Sequence, residues 1–363
     1  MQIKPKVIFG PFIGEFGWEL MHWMNWVNNA CETRYKEYDK IVISYPGRSV
    51  LYPSADQFIE VPQKFIEMKL SSRNYILDGW SKGYPGISDG KYVFDIRFFF
   101  YQLSRMRKPH RILKEVPIGF LSTKKFVEKM FKEVLADNNI DISNVLWICP
   151  WKLNYFENDI LGYDDSGLAR FLSLESNIKR FPNNDLSWNR LTSDPESKLL
   201  LNDYINSSSK LVCIFPRKRE IRRPDKNWPL DKYTELILKI QREFPEYTIC
   251  ICGEPGGAYF SNKTPPGCVD LININPSQRL GMQIAALERS LFAVGSLSGA
   301  MFVPLLTMTP TIVFGLESER KRFDSENYLN TIMDYLPLTD PSVDEVFIAI
   351  KDMVAKLVSR EFH

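Results

Sequence analysis

The chain has 363 residues, 44% apolar and 25% charged, with 46 basic against 44 acidic side chains and a formal charge of +2. This balance excludes a strong global pull towards nucleic acid or an acidic membrane and leaves only local basic patches for such contacts. The length points to two domains or one large one. Six cysteines without a CxxC spacing, and only three histidines, present no zinc pattern.

Residues 6–12, KVIFGPF, form an apolar, β-branched run that reads as a buried strand. The overlapping stretch GPFIGEFGWEL carries Gly14, Glu15, Gly17 and Glu19 and turns into a helical pattern, WELMHWMNWVNNA. That pattern is apolar almost all round, so the helix is predicted to be buried, with His22, Trp23 and Trp26 among its inward residues. Acids suit a helix N-terminus through its dipole. The glycines beside them suggest in addition that a ligand must come close to the backbone. A second strand at 40–46, KIVISYP, leads into YPGRSVLYP, which offers Arg48 at the strand's end. The run RMRKPHR (105–111), with aromatic residues nearby, is a local basic cluster that reads as solvated surface or, alternatively, as a contact for an anionic acceptor such as lipid phosphate or nucleic acid. A helix is predicted over 123–136, with Phe126, Met130, Phe131 and Val134 on one face, and a strand over 144–150. Between 151 and 195 the rhythm dissolves into stretches rich in Asn, Asp, Ser and Gly, read as loops and a domain junction.

From residue 210 the rhythm is regular. Strands are predicted at 210–216, 247–253, 291–296 and 310–315. Between them lie helices at 231–244, with Leu236, Ile237, Ile240 and Phe244 on one stripe, and at 276–288, opened by a proline that a first helical turn tolerates. Continuous apolar strands alternating with helices imply an α/β architecture of parallel sheets covered on both faces. The expected organisation is a Rossmann-like domain over 1–195, a second over 205–340, and a closing helix within 341–363 that could pack back on the first domain. Cys149, Cys213, Cys250 and Cys252 lie inside apolar runs and read as reduced, buried thiols. The opening MQIKPKVIFG runs straight into a strand and does not read as a signal peptide. No apolar run approaches the ~20 residues of a membrane span. A cytoplasmic protein is therefore the expectation, with peripheral membrane contact left open.

The densest chemistry follows the strand at 210–216. Six of the ten residues 217–226 are basic, and Trp228 and Pro229 then lead into the next helix. Open α/β sheets bind ligands at the carboxyl ends of their strands, and basic side chains there suit a phosphate or diphosphate. Arg217, Lys218, Arg222 and Lys226 are the candidates. A second loop, in VGSLSGAMFVPLL (294–306), places Ser296, Ser298, Gly299 and Ala300 before a short apolar helix, where small residues free backbone N–H groups for an anion. The two loops together predict a diphosphate site. No Asp-x-Asp suited to a divalent ion occurs, which agrees with a metal-independent route, and no cofactor is expected.

The segments FPRKREIRRPDKNWPLDKYTELI, CICGEPGG, DLI, AALERSLFAVGSLSGAMFVPLL and TPTIVFG occur in that order over residues 211–315. In order and spacing they resemble the nucleotide-sugar-binding half of the ADP-heptose heptosyltransferases, which are GT-B glycosyltransferases. The resemblance implies two Rossmann-like domains facing across a cleft, a nucleotide-sugar donor on the second and an acceptor mainly on the first. It places Lys226 on the family lysine that contacts donor phosphate. Glu254 falls near the acid associated with the ribose, and Ser298-Gly299 on the pair whose backbone holds the diphosphate. Leu297 and Phe302 stand where the family has Asp and His, so a heptose donor is not implied. In the first half, Gly14-Glu15 takes the place of the family's Gly-Asp, whose acid is the proposed general base. Glu15, with glycines on both sides, is thus the first candidate for the base and Glu19, one turn on, its competitor. Gly14, Trp18, His22 and Arg48 are the candidate acceptor contacts, Trp18 as a platform for a sugar.

The implied activity is metal-independent, inverting transfer of a sugar to an acceptor hydroxyl, on a glycan, a lipid-linked sugar or a modified DNA base. A nucleotide-sugar 2-epimerase of the same fold, and a non-catalytic nucleotide-sugar or nucleic-acid binding protein, are the alternatives, because fold does not fix function.

Overall fold

The computed structural model describes residues 4–12, 16–65, 123–141, 145–148, 188–219 and 224–361. The chain divides into two compact units, Met1–Ser187 and Trp188–His363.

In the first unit a parallel sheet is built from β1 (Lys6–Phe9), β2 (Asp39–Ser44), β3 (Gln57–Glu60) and β4 (Val145–Ile148), in the order β3-β2-β1-β4. Phe9 lies opposite Val42 on one side and Ile148 on the other. Helix α1 follows β1 in three consecutive stretches: an α-helical turn Phe16–Trp18, a π-helical segment Glu19–Trp23 and an α-helix Met24–Glu32. The Asn25 side-chain amide donates to the Leu20 carbonyl at 2.7 Å within this irregular turn. Trp23 and Trp26 stack at 5.5 Å and pack with Phe12 and Phe9, so the expectation of a buried helix holds for both tryptophans. Helix α2 (Thr123–Asp137) buries Met130, Phe131, Val134 and Leu135, and Phe131 stacks on Trp147 of β4 at 3.6 Å. Gly10, directly after β1, has φ +110°, and a Cβ there would meet the Ile43 carbonyl oxygen at 2.3 Å; only glycine fits.

The second unit carries six parallel strands in the order β10-β9-β8-β5-β6-β7. These are β5 (Lys210–Phe215), β6 (Tyr247–Ile251), β7 (Cys268–Asp270), β8 (Ser290–Ser296), β9 (Thr311–Phe314) and β10 (Met333–Leu336). The helices are α3 (Pro195–Asn202), α4 (Leu230–Glu243), α5 (Pro276–Glu288), the short α6 (Phe302–Leu306), α7 (Glu317–Ser325) and α8 (Val343–Glu361). Leu236, Ile237 and Ile240 of α4 are buried as their stripe predicts, with Phe244 packed at the cluster's edge. Cys213, Cys250 and Cys252 are fully buried in β5 and at the end of β6.

Two features depart from the expected organisation. Residues 188–202, expected at the junction, pack on the second unit: Leu191 N–H donates to the Leu306 carbonyl and α3 lies against α5. Their approach is close, since a Cβ on Gly281 would meet Ser197 Oγ at 2.1 Å. The closing helix α8, for which packing back on the first domain was one option, buries Val346, Phe347, Ile350 and Met353 in the core of the second unit, alongside α4. The reason is its apolar stripe, which completes the face of α4 and the sheet beneath. The short outer strands β3, β7 and β10 were not expected; they are brief and carry no continuous apolar run.

Candidate functional site

Both sheets share one topological property. In the first, the chain starts at β1, moves out to β2 and β3, and returns to the other side of β1 as β4. In the second it starts at β5, moves out through β6 and β7, then crosses back to β8 beside β5. The point where the order reverses leaves a crevice outside the carboxyl ends of the two central strands, the usual ligand position of open α/β sheets. In the second unit the basic loop and the 296–300 loop leave these neighbouring strands, with Phe215 in register with Gly295. A Cβ on Gly295 would meet the Phe215 carbonyl oxygen at 2.7 Å and Met301 Sδ at 2.9 Å, so the two strand ends touch backbone to backbone there.

The basic loop is anchored from below and clasped from the side. Trp228 is fully buried; its indole N–H donates to the Pro341 carbonyl at 2.8 Å, and its ring packs on Tyr233 and Phe314. One residue earlier, Asn227 Oδ1 accepts from the Arg217 guanidinium and from the Arg219 backbone N–H, while its Nδ2 donates to the Arg219 carbonyl at 2.7 Å. Lys226, on a 3-10 turn just before this clasp, forms an ion pair with Glu319 in the first turn of α7. Glu319 also pairs with Arg322 at 3.5 Å, and Arg322 with Glu326 at 3.6 Å.

The donor-site candidates thus separate into two groups. Arg217 and Ser296 are buried and hydrogen-bonded within the second unit. Arg217 holds Asn227, and Ser296 N–H donates to the Tyr233 hydroxyl at 3.3 Å, which in turn lies 3.3 Å from the Phe215 carbonyl. Lys218 and Glu254 are exposed, and Ser298, Gly299 and Ala300 are half-buried at the start of the short 3-10 turn that leads into α6. Lys218 is on the loop braced by Gly257 and lies 5.9 Å from the Tyr259 ring. Arg222 lies outside the described residues. Leu297 and Phe302 are buried, the latter against Phe323 at 4.8 Å. The two positions where the resembled family is polar are thus apolar and buried here.

In the first unit, Glu19 is fully buried. Its carboxylate accepts from Ser44 Oγ at the end of β2, from the Arg48 guanidinium, and from the Tyr52 hydroxyl at 2.6 Å. The Arg48 guanidinium is sandwiched between the rings of Phe16 at 4.4 Å and Tyr45 at 4.7 Å. Burial, with the Glu19 charge beside it, pushes the Tyr52 hydroxyl well above its ordinary pKa, so it remains a donor. A base must reach its substrate; a carboxylate enclosed by three donors does not. Glu19 thus sits in a closed pairing with Ser44, Arg48 and Tyr52. Gly14 and Glu15 lie outside the described residues, as do the side chains of Trp18 and His22 and the basic cluster at 105–111.

Neither Glu319 nor Asn227 stood out in the sequence. Asn227 has a local signal in retrospect, an amide between the lysine and the tryptophan. Glu319 has none, because it reaches Lys226 across 93 positions. Among the described residues no group of three or more His, Cys, Asp and Glu side chains could hold a metal ion, and no helix is long and apolar enough to cross a membrane.

Glu326, at the end of this charge row, is 3% exposed. Burial pushes its carboxyl up to about 7, against the pull of Arg322 and aided by Glu319. A carboxyl raised in the folded state favours folding below its unfolded pKa, and that benefit is lost as pH rises through 7. Glu326→Gln should therefore gain stability relative to the parent as pH rises from 5 to 8, by up to about 3 kcal/mol, read as a growing difference in melting temperature. Parallel pH-dependent melts that stay a constant distance apart would show that Glu326 is ionised at no cost.

No family model matches the chain, and no curated protein matches it in sequence. Solved structures do. The E. coli ADP-heptose LPS heptosyltransferase II aligns over 99% of this chain and 100% of its own, at 14% identity and a TM-score of 0.52. The glycosyl transferase family 9 protein of Veillonella parvula aligns over 98% and 99%, at 11% identity and a TM-score of 0.45. The UDP-GlcNAc 2-epimerase of Methanocaldococcus jannaschii aligns over 96% and 92%, at 11% identity and a TM-score of 0.43. At these identities likeness speaks for the fold, and the first of the three extends it over both full chains. Two Rossmann-like units of parallel strands, in the order each sheet adopts, give this protein the GT-B fold, in the form that resembles the ADP-heptose heptosyltransferases.

Proposed function

We propose that the protein is a metal-independent, inverting glycosyltransferase that moves a sugar from a nucleotide-sugar donor to an acceptor hydroxyl. The observation that carries this reading is the meeting of the basic loop and the 296–300 loop on adjacent strands at the switch point of the second sheet. Lys226, the exposed Lys218 and the N–H groups of residues 298–300 then face the diphosphate, and Glu254 the ribose. The acceptor hydroxyl attacks the anomeric carbon in a single displacement, and Glu15 takes its proton. Negative charge gathers on the departing diphosphate, where ammonium and backbone N–H groups stabilise it. The acceptor is a glycan, a lipid-linked sugar or a modified DNA base, and the donor sugar is set by residues other than Leu297 and Phe302.

The test is a thermal-shift panel of UDP, GDP, ADP, CMP and their common sugars. One nucleotide class should raise the melting temperature, and Lys226→Ala should abolish the shift, because a ligand stabilises only the state that binds it. No shift from any nucleotide would remove the donor site and favour a non-catalytic protein that has kept the fold.

A further inference from the structure

Lys226 already has an anion. Its ammonium is held by Glu319, and the two side chains are only 12% and 14% exposed. The sheet order shows what this contact spans. Lys226 belongs to the loop after β5 and Glu319 to the helix after β9, and β8 lies between those strands. The pair therefore joins the elements that flank the carboxyl end of β8, from which the 297–300 loop emerges. Glu319 is held on its other side by Arg322, at 3.5 Å, so its carboxylate keeps a cationic partner when the lysine leaves.

From this geometry we infer that Glu319 is an internal counter-anion which Lys226 exchanges for the diphosphate of a bound nucleotide, so that Glu319 sets the affinity of the site. The inference rests on the diphosphate reading of that site. An ammonium cannot make full use of two competing anions at once. A ligand must carry enough charge to displace a carboxylate that is already in place, which favours diphosphates over monophosphates and uncharged nucleosides. On release of the diphosphate product, Lys226 returns to Glu319, and the partly buried lysine is never left without a counter-charge. Glu319 thus limits retention of the product as well as binding of the donor. It is a tuning residue; nothing in its placement requires it to touch the reacting atoms.

The experiment is a titration of the full chain with ADP, UDP, GDP and pyrophosphate by calorimetry, using parent protein, E319Q, K226A and the double variant. E319Q should bind the nucleotide that the parent prefers, and pyrophosphate, about tenfold more tightly at low salt, the scale of one charge–charge interaction in a partly screened site. The gain should shrink at 0.5 M salt, where the Debye length falls to about 4 Å. It should vanish in the K226A background, where no lysine remains to be released. Unchanged or weaker binding in E319Q, with K226A still defective, overturns the exchange while leaving the donor site intact. Absence of nucleotide binding in the parent, or binding that K226A does not alter, overturns the donor-site reading and the exchange with it. Melting curves without ligand check that E319Q is folded; Glu319→Ala, which removes the same charge, replaces it if it is not.

Discussion

Arg48→Ala should cost the protein about 3–5 kcal/mol of stability, because it leaves the Glu19 carboxylate buried with its strongest partner gone. The comparison that sharpens the argument is Arg48→Ala with Glu19→Gln in the same chain. Once Glu19 is neutral, losing the guanidinium removes a stacked side chain and a hydrogen bond, and the further loss should be markedly smaller than in the parent. Chemical denaturation of the four proteins gives the coupling directly. The two sites would be independent, and Arg48 free to serve an acceptor, if the single losses simply added. The network also has a local consequence. Arg48 packs on Phe16, the first described residue after the 13–15 segment, and Glu19 joins the helix that follows it to the loop after β2. Substitutions here act on the entry to α1 as a whole, so a fall in activity in an Arg48 variant must be set against its stability before it is assigned to binding.

Glu15→Gln is the second. On the transferase reading, turnover falls about 10²-fold or more while donor affinity is kept, since a positioned general base contributes that much and the amide keeps the shape. The measurement pairs transfer kinetics with the thermal shift of the donor nucleotide. A variant that retains both full activity and the shift would exclude Glu15 as the base. A variant that loses both would point to folding and not to proton transfer, which is why the shift is recorded alongside. The same assay without any acceptor separates transfer from 2-epimerisation, because an epimerase alters the donor alone.

Much of this was readable in the chain. Continuous apolar runs such as KLVCIF and TIVF announced strands buried on both faces, and they are β5 and β9, both with a neighbouring strand on each side in the second sheet. The stripe Leu236, Ile237, Ile240 announced α4, and Pro276 marked the start of α5, where Asn275 caps the helix by accepting from Ser277 N–H at 3.1 Å. The equivalent signal at Asp194-Pro195, where the aspartate accepts from Ser197 N–H at 2.8 Å, was present too, but it sits in a polar stretch that reads as loop. The outer strands β3, β7 and β10 lacked a legible pattern because an edge strand of three or four residues is only partly covered.

By itself the sequence determined the local matters: where apolar runs alternate with helical stripes, where glycine and small residues open a loop, and where basic side chains gather after a buried strand. These depend on neighbours a few positions apart, so periodicity and turn chemistry report them. Tertiary structure alone decided how those charges are spent. Glu19 looks like a free first-turn acid until Ser44, Arg48 and Tyr52, 25 to 33 positions away, enclose it. Arg217 meets the Asn227 amide ten positions on, and Lys226 meets Glu319 only because parallel strands bring the loops after β5 and β9 to the same end of one sheet. A charge in the sequence states only its sign; whether it faces a ligand or a partner depends on the desolvation and pairing that the fold imposes on it.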